Sequence, residues 1–103
     1  MSADTTTTEL IRILGRDAAL GLLARHGGST IHVPRDPTGH WLADELGDGA
    51  VKFAWEWGGE QIYLPIARRE IGLWLHEGGA SAGEIAQRLR ISRRTVQRWL
   101  VQS

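Results

Sequence analysis

The sequence predicts a mainly α-helical chain: an N-terminal helical dimerisation body with a short β-strand linker, then a C-terminal three-helix helix-turn-helix domain. Three observations lead to it. A helix–glycine–helix–Gly-Gly–strand pattern occurs twice in the front 65 residues, serine caps open two short helices near the end, and charge separates between the two parts. The expected organisation is a disordered 1–8, a helical dimerisation domain over 9–59, a strand linker and hinge over 60–66, and the helix-turn-helix over 67–103.

At the front, Thr6-Thr7-Thr8-Glu9 has the form of a capping box, which predicts a helix start at Thr6. The first copy of the repeat then runs from Leu10 through Gly15, Asp17 to Leu20, and Gly27-Gly28 to Pro34. The second runs from Leu42 through Gly47, Asp48 to Val51, and Gly58-Gly59 to Pro65. Asp17 and Asp48 suit the first turns of helices, where free backbone N–H groups and the helix dipole favour an acid. Gly-Gly allows a left-handed exit from a helix. Ile31 and Val33, like Ile62 and Leu64, alternate with polar neighbours as in a half-exposed strand, and proline ends each run. Between the copies, Arg35-Asp36-Pro37-Thr38-Gly39 reads as a turn.

The second copy carries an apolar helical stripe of Leu42, Leu46, Ala50, Phe53, Ala54 and Trp57, interrupted at Gly47–Gly49. A body of about 65 residues seldom buries enough apolar surface to offset its ordering entropy. Phe53, Trp55 and Trp57 also lie too close in sequence to share one narrow core. A homodimer resolves both problems, with Leu42, Leu46, Phe53 and Trp57 at its interface and Trp55 half exposed in the alternative.

The net charge of zero conceals a division. Residues 1–67 hold 5 basic and 9 acidic side chains, whereas 68–103 hold 7 and 3. In that basic segment, Arg68 to Glu77 reads as a helix with Ile71, Trp74 and Leu75 on one face. Ser81-Ala82-Gly83-Glu84 is a capping box that opens a second helix, with Ile85, Ala86 and Leu89 inward. Ser92 caps a third, with Val96 and Trp99 inward. This is helix-turn-helix spacing, with small Ala86 where the helices cross.

The positions left for solvent on the third helix point to DNA. Arginine can pair with guanine O6 and N7 and glutamine with adenine, and the first turns of a recognition helix reach base edges. Arg93, Arg94 and Gln97 are the expected base contacts; Arg88, Ser92, Thr95 and Arg98 are the expected backbone contacts. The expected partner is double-stranded DNA. Arg90 stands where such turns commonly have glycine, so either the turn differs or its left-handed cost of about 1 kcal/mol is absorbed.

Other classes fit poorly. Cysteine is absent, which excludes disulfide scaffolds, thiolate zinc sites and cysteine nucleophiles. The four histidines are scattered with no pair at helical i, i+4 spacing, and no catalytic motif is present. No enzyme activity, metal or cofactor is expected. No apolar run suits a membrane span and the start lacks a signal segment, so no membrane partner is expected and the location is the bacterial cytoplasm. Residue chemistry leaves open a repressor, an antitoxin, a transposase-type DNA-binding subunit and a protein-interaction module.

The order of motifs from about residue 9 to 101 resembles the Mor family, the middle-operon transcription activators of Mu-like phages and prophages, with the related late activator C. The residues that carry the likeness are Leu10-Ile11-Arg12 through Gly15, Gly27-Gly28 to Pro34, His40-Trp41-Leu42-Ala43 through Gly47, and Gly58-Gly59-Glu60-Gln61-Ile62-Tyr63-Leu64-Pro65 before the helix-turn-helix. The resemblance implies a homodimer with intertwined N-terminal helices that binds a dyad-symmetric site upstream of a promoter and recruits host RNA polymerase. It implies a linking strand at Gln61 to Leu64 that pairs across the dimer axis, with Pro65 as hinge. Gln61 and Tyr63 then either face a DNA minor groove, or Tyr63 packs on its own dimer.

Overall fold

The computed structural model describes residues 3–102. The mainly α architecture is as the sequence predicts: α1 Ala3–Leu14, α2 Arg16–His26, β1 Thr30–His32, α3 Trp41–Leu46, α4 Gly49–Trp57, β2 Gln61–Tyr63, α5 Arg68–Glu77, α6 Ala82–Leu89 and α7 Arg93–Gln102. They fall into two compact units that divide between Ile66 and Ala67.

In the first unit each copy of the repeat folds as helix, glycine break, helix, Gly-Gly and strand. The two strands pair antiparallel with each other, Thr30 opposite Tyr63, Ile31 opposite Ile62 and His32 opposite Gln61. From Asp17 and Asp48 onward, equivalent positions stand at an offset of 31 residues, as from Gly28 to Gly59 and from Ile31 to Ile62. The flanking hydrogen bonds obey the same offset. Gly28 N–H donates to Leu64 O at 2.6 Å and its counterpart Gly59 N–H to Val33 O at 2.7 Å. Leu64 N–H donates to Ser29 O at 2.8 Å and its counterpart Val33 N–H to Glu60 O at 2.9 Å. Gly28 and Gly59 have φ of 89° and 88°, a left-handed turn that glycine makes at no steric cost. The duplication therefore folds as a local twofold pair inside one chain.

This pairing corrects the expected linker. Segment 60–66 belongs to the first unit, because β2 is half of an intramolecular ribbon and Pro65 is fully buried. Pro65 is packed inside the first unit next to its boundary, and β2 already has a partner strand in its own chain.

The core of the unit comprises Leu10, Ile13, Ala19, Leu20, Leu22, Leu23, Val33, Leu42, Ala50, Phe53 and Leu64, all buried. Leu42 and Phe53 are each 1 % exposed, so these two expected interface residues are interior to the chain and unavailable to a partner. Leu46 and Trp57 are half-buried, with the Trp57 ring edge-on to Phe53 at 5.4 Å. Burying the apolar stripe on α4 inside the chain leaves Trp55, not Phe53 or Trp57, pointing outward, at 90 % exposure.

Helix α1 starts at Ala3, earlier than the expected capping box and inside the segment expected to be disordered; Met1 and Ser2 lie outside the described residues. Thr7 is buried on the same helical side as Leu10 and Leu14, so tertiary contact carries the helix back through a β-branched run that propensity disfavours. The start of α3 is set by His40, whose Nδ1 accepts the Leu42 N–H at 3.1 Å. Asp36 Oδ1 accepts the Thr38 N–H at 3.0 Å and closes the inter-copy turn; hydrogen bonds from the Thr38 side chain and backbone hold its carboxyl below the usual range. His26 ends α2, near the favourable dipole end, and ties it to α3 through Glu45 (Nε2···Oε1 2.7 Å) and the Trp41 ring (4.6 Å).

Candidate nucleic-acid interface

The second unit is built around Ile85, Ala86 and Val96, with Leu75, Ala80, Ala82, Leu89, Ile91, Trp99 and Leu100 packed against them. Ala86 sits in this cluster, at the place where α6 and α7 approach and a larger side chain would separate them. Gly72 of α5 serves the same purpose from the other side. A Cβ placed there would come 2.9 Å from Cζ3 of Trp99, closer than packed atoms tolerate.

Local bonds fix the ends of both motif helices. Ser81 Oγ accepts the Glu84 N–H at 3.2 Å and Glu84 Oε1 accepts the Ser81 N–H at 3.1 Å, a complete capping box. Hydrogen bonding to Ser81 holds the Glu84 carboxyl below the usual carboxylate range. Helix α6 ends at Arg90 in the left-handed region, φ 56° and ψ 47°, so the turn keeps its glycine-like shape and the side chain bears the cost. Ile91 N–H closes the turn onto Ala86 O at 3.1 Å. Ser92 Oγ accepts the Thr95 N–H at 3.1 Å and lies 2.8 Å from Thr95 Oγ1. One hydroxyl hydrogen of the Ser92–Thr95 pair is used between them, which leaves the other able to donate to a phosphate.

Beyond that cap, Arg93, Arg94, Gln97 and Arg98 are exposed on α7, as are Arg88 and Arg90 before it, whereas Thr95 is half-buried. Arg94, Gln97, Arg98 and Val101 line one open hollow of about 370 Å³. Arg93 stands at the first residue of α7, outside that set. Val101 was not singled out in the sequence. It is 85 % exposed, and its spacing of one turn from Gln97 and two from Arg94 is the signal that finds it.

In the first unit, Gln61 and Tyr63 are exposed on the outer face of the ribbon, Tyr63 at 53 %. They share it with Thr30 and His32, also exposed, which hold the equivalent positions of the first copy. The repeat itself was the clue to these two residues. Ile31, Val33 and Leu64 turn to the core.

Three helices with a tight capped turn before an arginine-lined third helix are the form of a helix-turn-helix DNA-binding domain. Comparison with protein families agrees: residues 65–100 match the family described as a homeodomain-like domain. No curated protein and no solved structure matches the chain. Among the described residues, no group of three His, Asp or Glu side chains is placed to hold a metal ion, and no helix is long and apolar enough to cross a membrane.

Proposed function

We propose that this chain is a sequence-specific transcription regulator of the bacterial cytoplasm that inserts α7 into the DNA major groove. The observation that carries the reading is the hollow on α7, where two arginines, a glutamine and an exposed valine share one side of a capped, well-packed helix. Arg94 and Gln97 contact base edges, with Arg93 at the entry to the helix. Arg88, Ser92, Thr95 and Arg98 hold phosphates and fix the register. Val101 offers an apolar contact suited to a thymine methyl. The absence of any acid after Glu84 keeps this face free of repulsion toward phosphate.

From the resemblance to the Mor family, Gln61 and Tyr63 on the exposed outer face of the ribbon are a second contact, in a minor groove. The resemblance to the Mor family supports the finer reading: a homodimeric activator of a phage or prophage operon, bound to a dyad-symmetric site upstream of a promoter and recruiting host RNA polymerase. Selection from random duplex DNA followed by footprinting tests it. A single preferred site with two symmetric half-sites is the expected result, and recovery of unselected sequence would overturn it. Transcription with purified polymerase then gives the sign, expected to be activation.

A further inference from the structure

The outer face of α4 carries a ring that the fold of a single chain does not use. Trp55 is 90 % exposed and Val51, one turn earlier, 54 %. They border an open hollow of about 390 Å³ lined also by Arg12, Ile13, Lys52 and Glu56. The duplication shows that the body does not require this ring. At the equivalent position the first copy has Ala24, and where the second has exposed Val51 the first has buried Leu20. The opening helix of the first copy has 12 residues and that of the second only 6, so the second copy brings less cover of its own.

We infer that this face is the contact between two copies of the chain, related by a twofold axis. A projecting indole and a hollow lie side by side, so a twofold rotation sets each ring over the hollow of the other chain. The rim carries both signs of charge, with Arg12 Nη2 3.5 Å from Glu56 Oε2 and Lys52 beside them. Such a mixed rim suits a copy of itself better than a strongly acidic or basic partner. Two buried indoles supply about 300–500 Å² of the roughly 1,000 Å² that a stable interface requires, and the α1–α4 flanks around them supply more.

Sedimentation equilibrium of the full chain without DNA tests this surface separately from the DNA reading. The native chain should sediment as monomer and dimer across the micromolar range. Trp55→Glu should raise the dissociation constant about thirtyfold or more, as loss of a central aromatic anchor does, with an unchanged far-ultraviolet dichroism spectrum. Trp55→Ala should act in the same direction. A native chain that stays monomeric would overturn the inference and leave the patch to a different partner. A dimer that survives both variants would overturn this surface, and growth to ever larger species would overturn the closed twofold pair. Loss of DNA binding by every chain, with association intact, would count against the DNA reading alone.

Discussion

Ile31 and Ile62 stand directly opposite each other in the β1–β2 ladder, and each occupies the same place in its copy of the repeat. Around this pair each backbone bond on one side has its counterpart on the other, so the duplicated sequence makes its own twofold body. An isolated two-stranded hairpin is marginal in water, and here the inward Val33 and Leu64, both fully buried, anchor it to the helices. The ribbon presents Thr30, His32, Gln61 and Tyr63 together on its outer side.

The packing of Gly72 against Trp99 sets the first prediction. Alanine at 72 would gain up to about 1 kcal/mol of helix propensity. It would also push against an indole and against Ile85 Cγ2 at 3.4 Å. Overpacking typically costs about 1–3 kcal/mol, and a ring wedged in a small core has little room to yield. Gly72→Ala should therefore lower the denaturant midpoint of the second unit, read by urea unfolding, and a higher midpoint would contradict the close packing.

Phe53→Ala separates a core residue from an interface residue. Phe53 is fully buried in its own chain, so its truncation should cost about 3–5 kcal/mol of stability. Trp55→Glu should leave stability of the monomer close to native. Thermal melts at fixed low protein concentration distinguish the two; equal losses would undo the assignment.

On DNA, Arg94→Ala should lose about 1–3 kcal/mol on the selected site and little on unrelated duplex. Arg88→Ala should weaken both alike and reduce the salt slope by about 1. Binding titrations across salt concentrations give both readouts. A uniform loss for Arg94 would reassign it to the phosphates.

Acid should destabilise both units through two glutamates. For Glu45, burial pushes the carboxyl up, but the hydrogen bonds and charges of His26 and Arg25 together outweigh it and hold the carboxyl below the usual range. The Glu84 carboxyl is held low by the Ser81 bonds. A carboxyl lowered on folding contributes its stability above the ordinary carboxylate range and loses it as pH falls through its folded value. Melting temperature should thus fall on acidification through and below that range. Glu84→Gln keeps a capping-box side chain without the titration, and should flatten its share of the acid limb.

The local devices are legible in the residues themselves. The repeat, both Gly-Gly exits, the Ser81 and Ser92 caps, the inward stripe of Ile85, Ala86 and Val96 and the exposed arginines of α7 all depend on neighbours within a few residues. Tertiary structure decided what has no local signature. Strand chemistry at 61–63 suits any edge, so only the fold chose β1 of the same chain as its partner. The stripe that holds Phe53 suits a core or an interface equally, so only packing decided that it turns into its own chain and leaves Trp55 outward. Likewise α1 runs on through Thr6–Thr8 with Thr7 buried, against the local capping signal. Periodicity assigns faces within one helix; which face meets water is a property of everything packed around it.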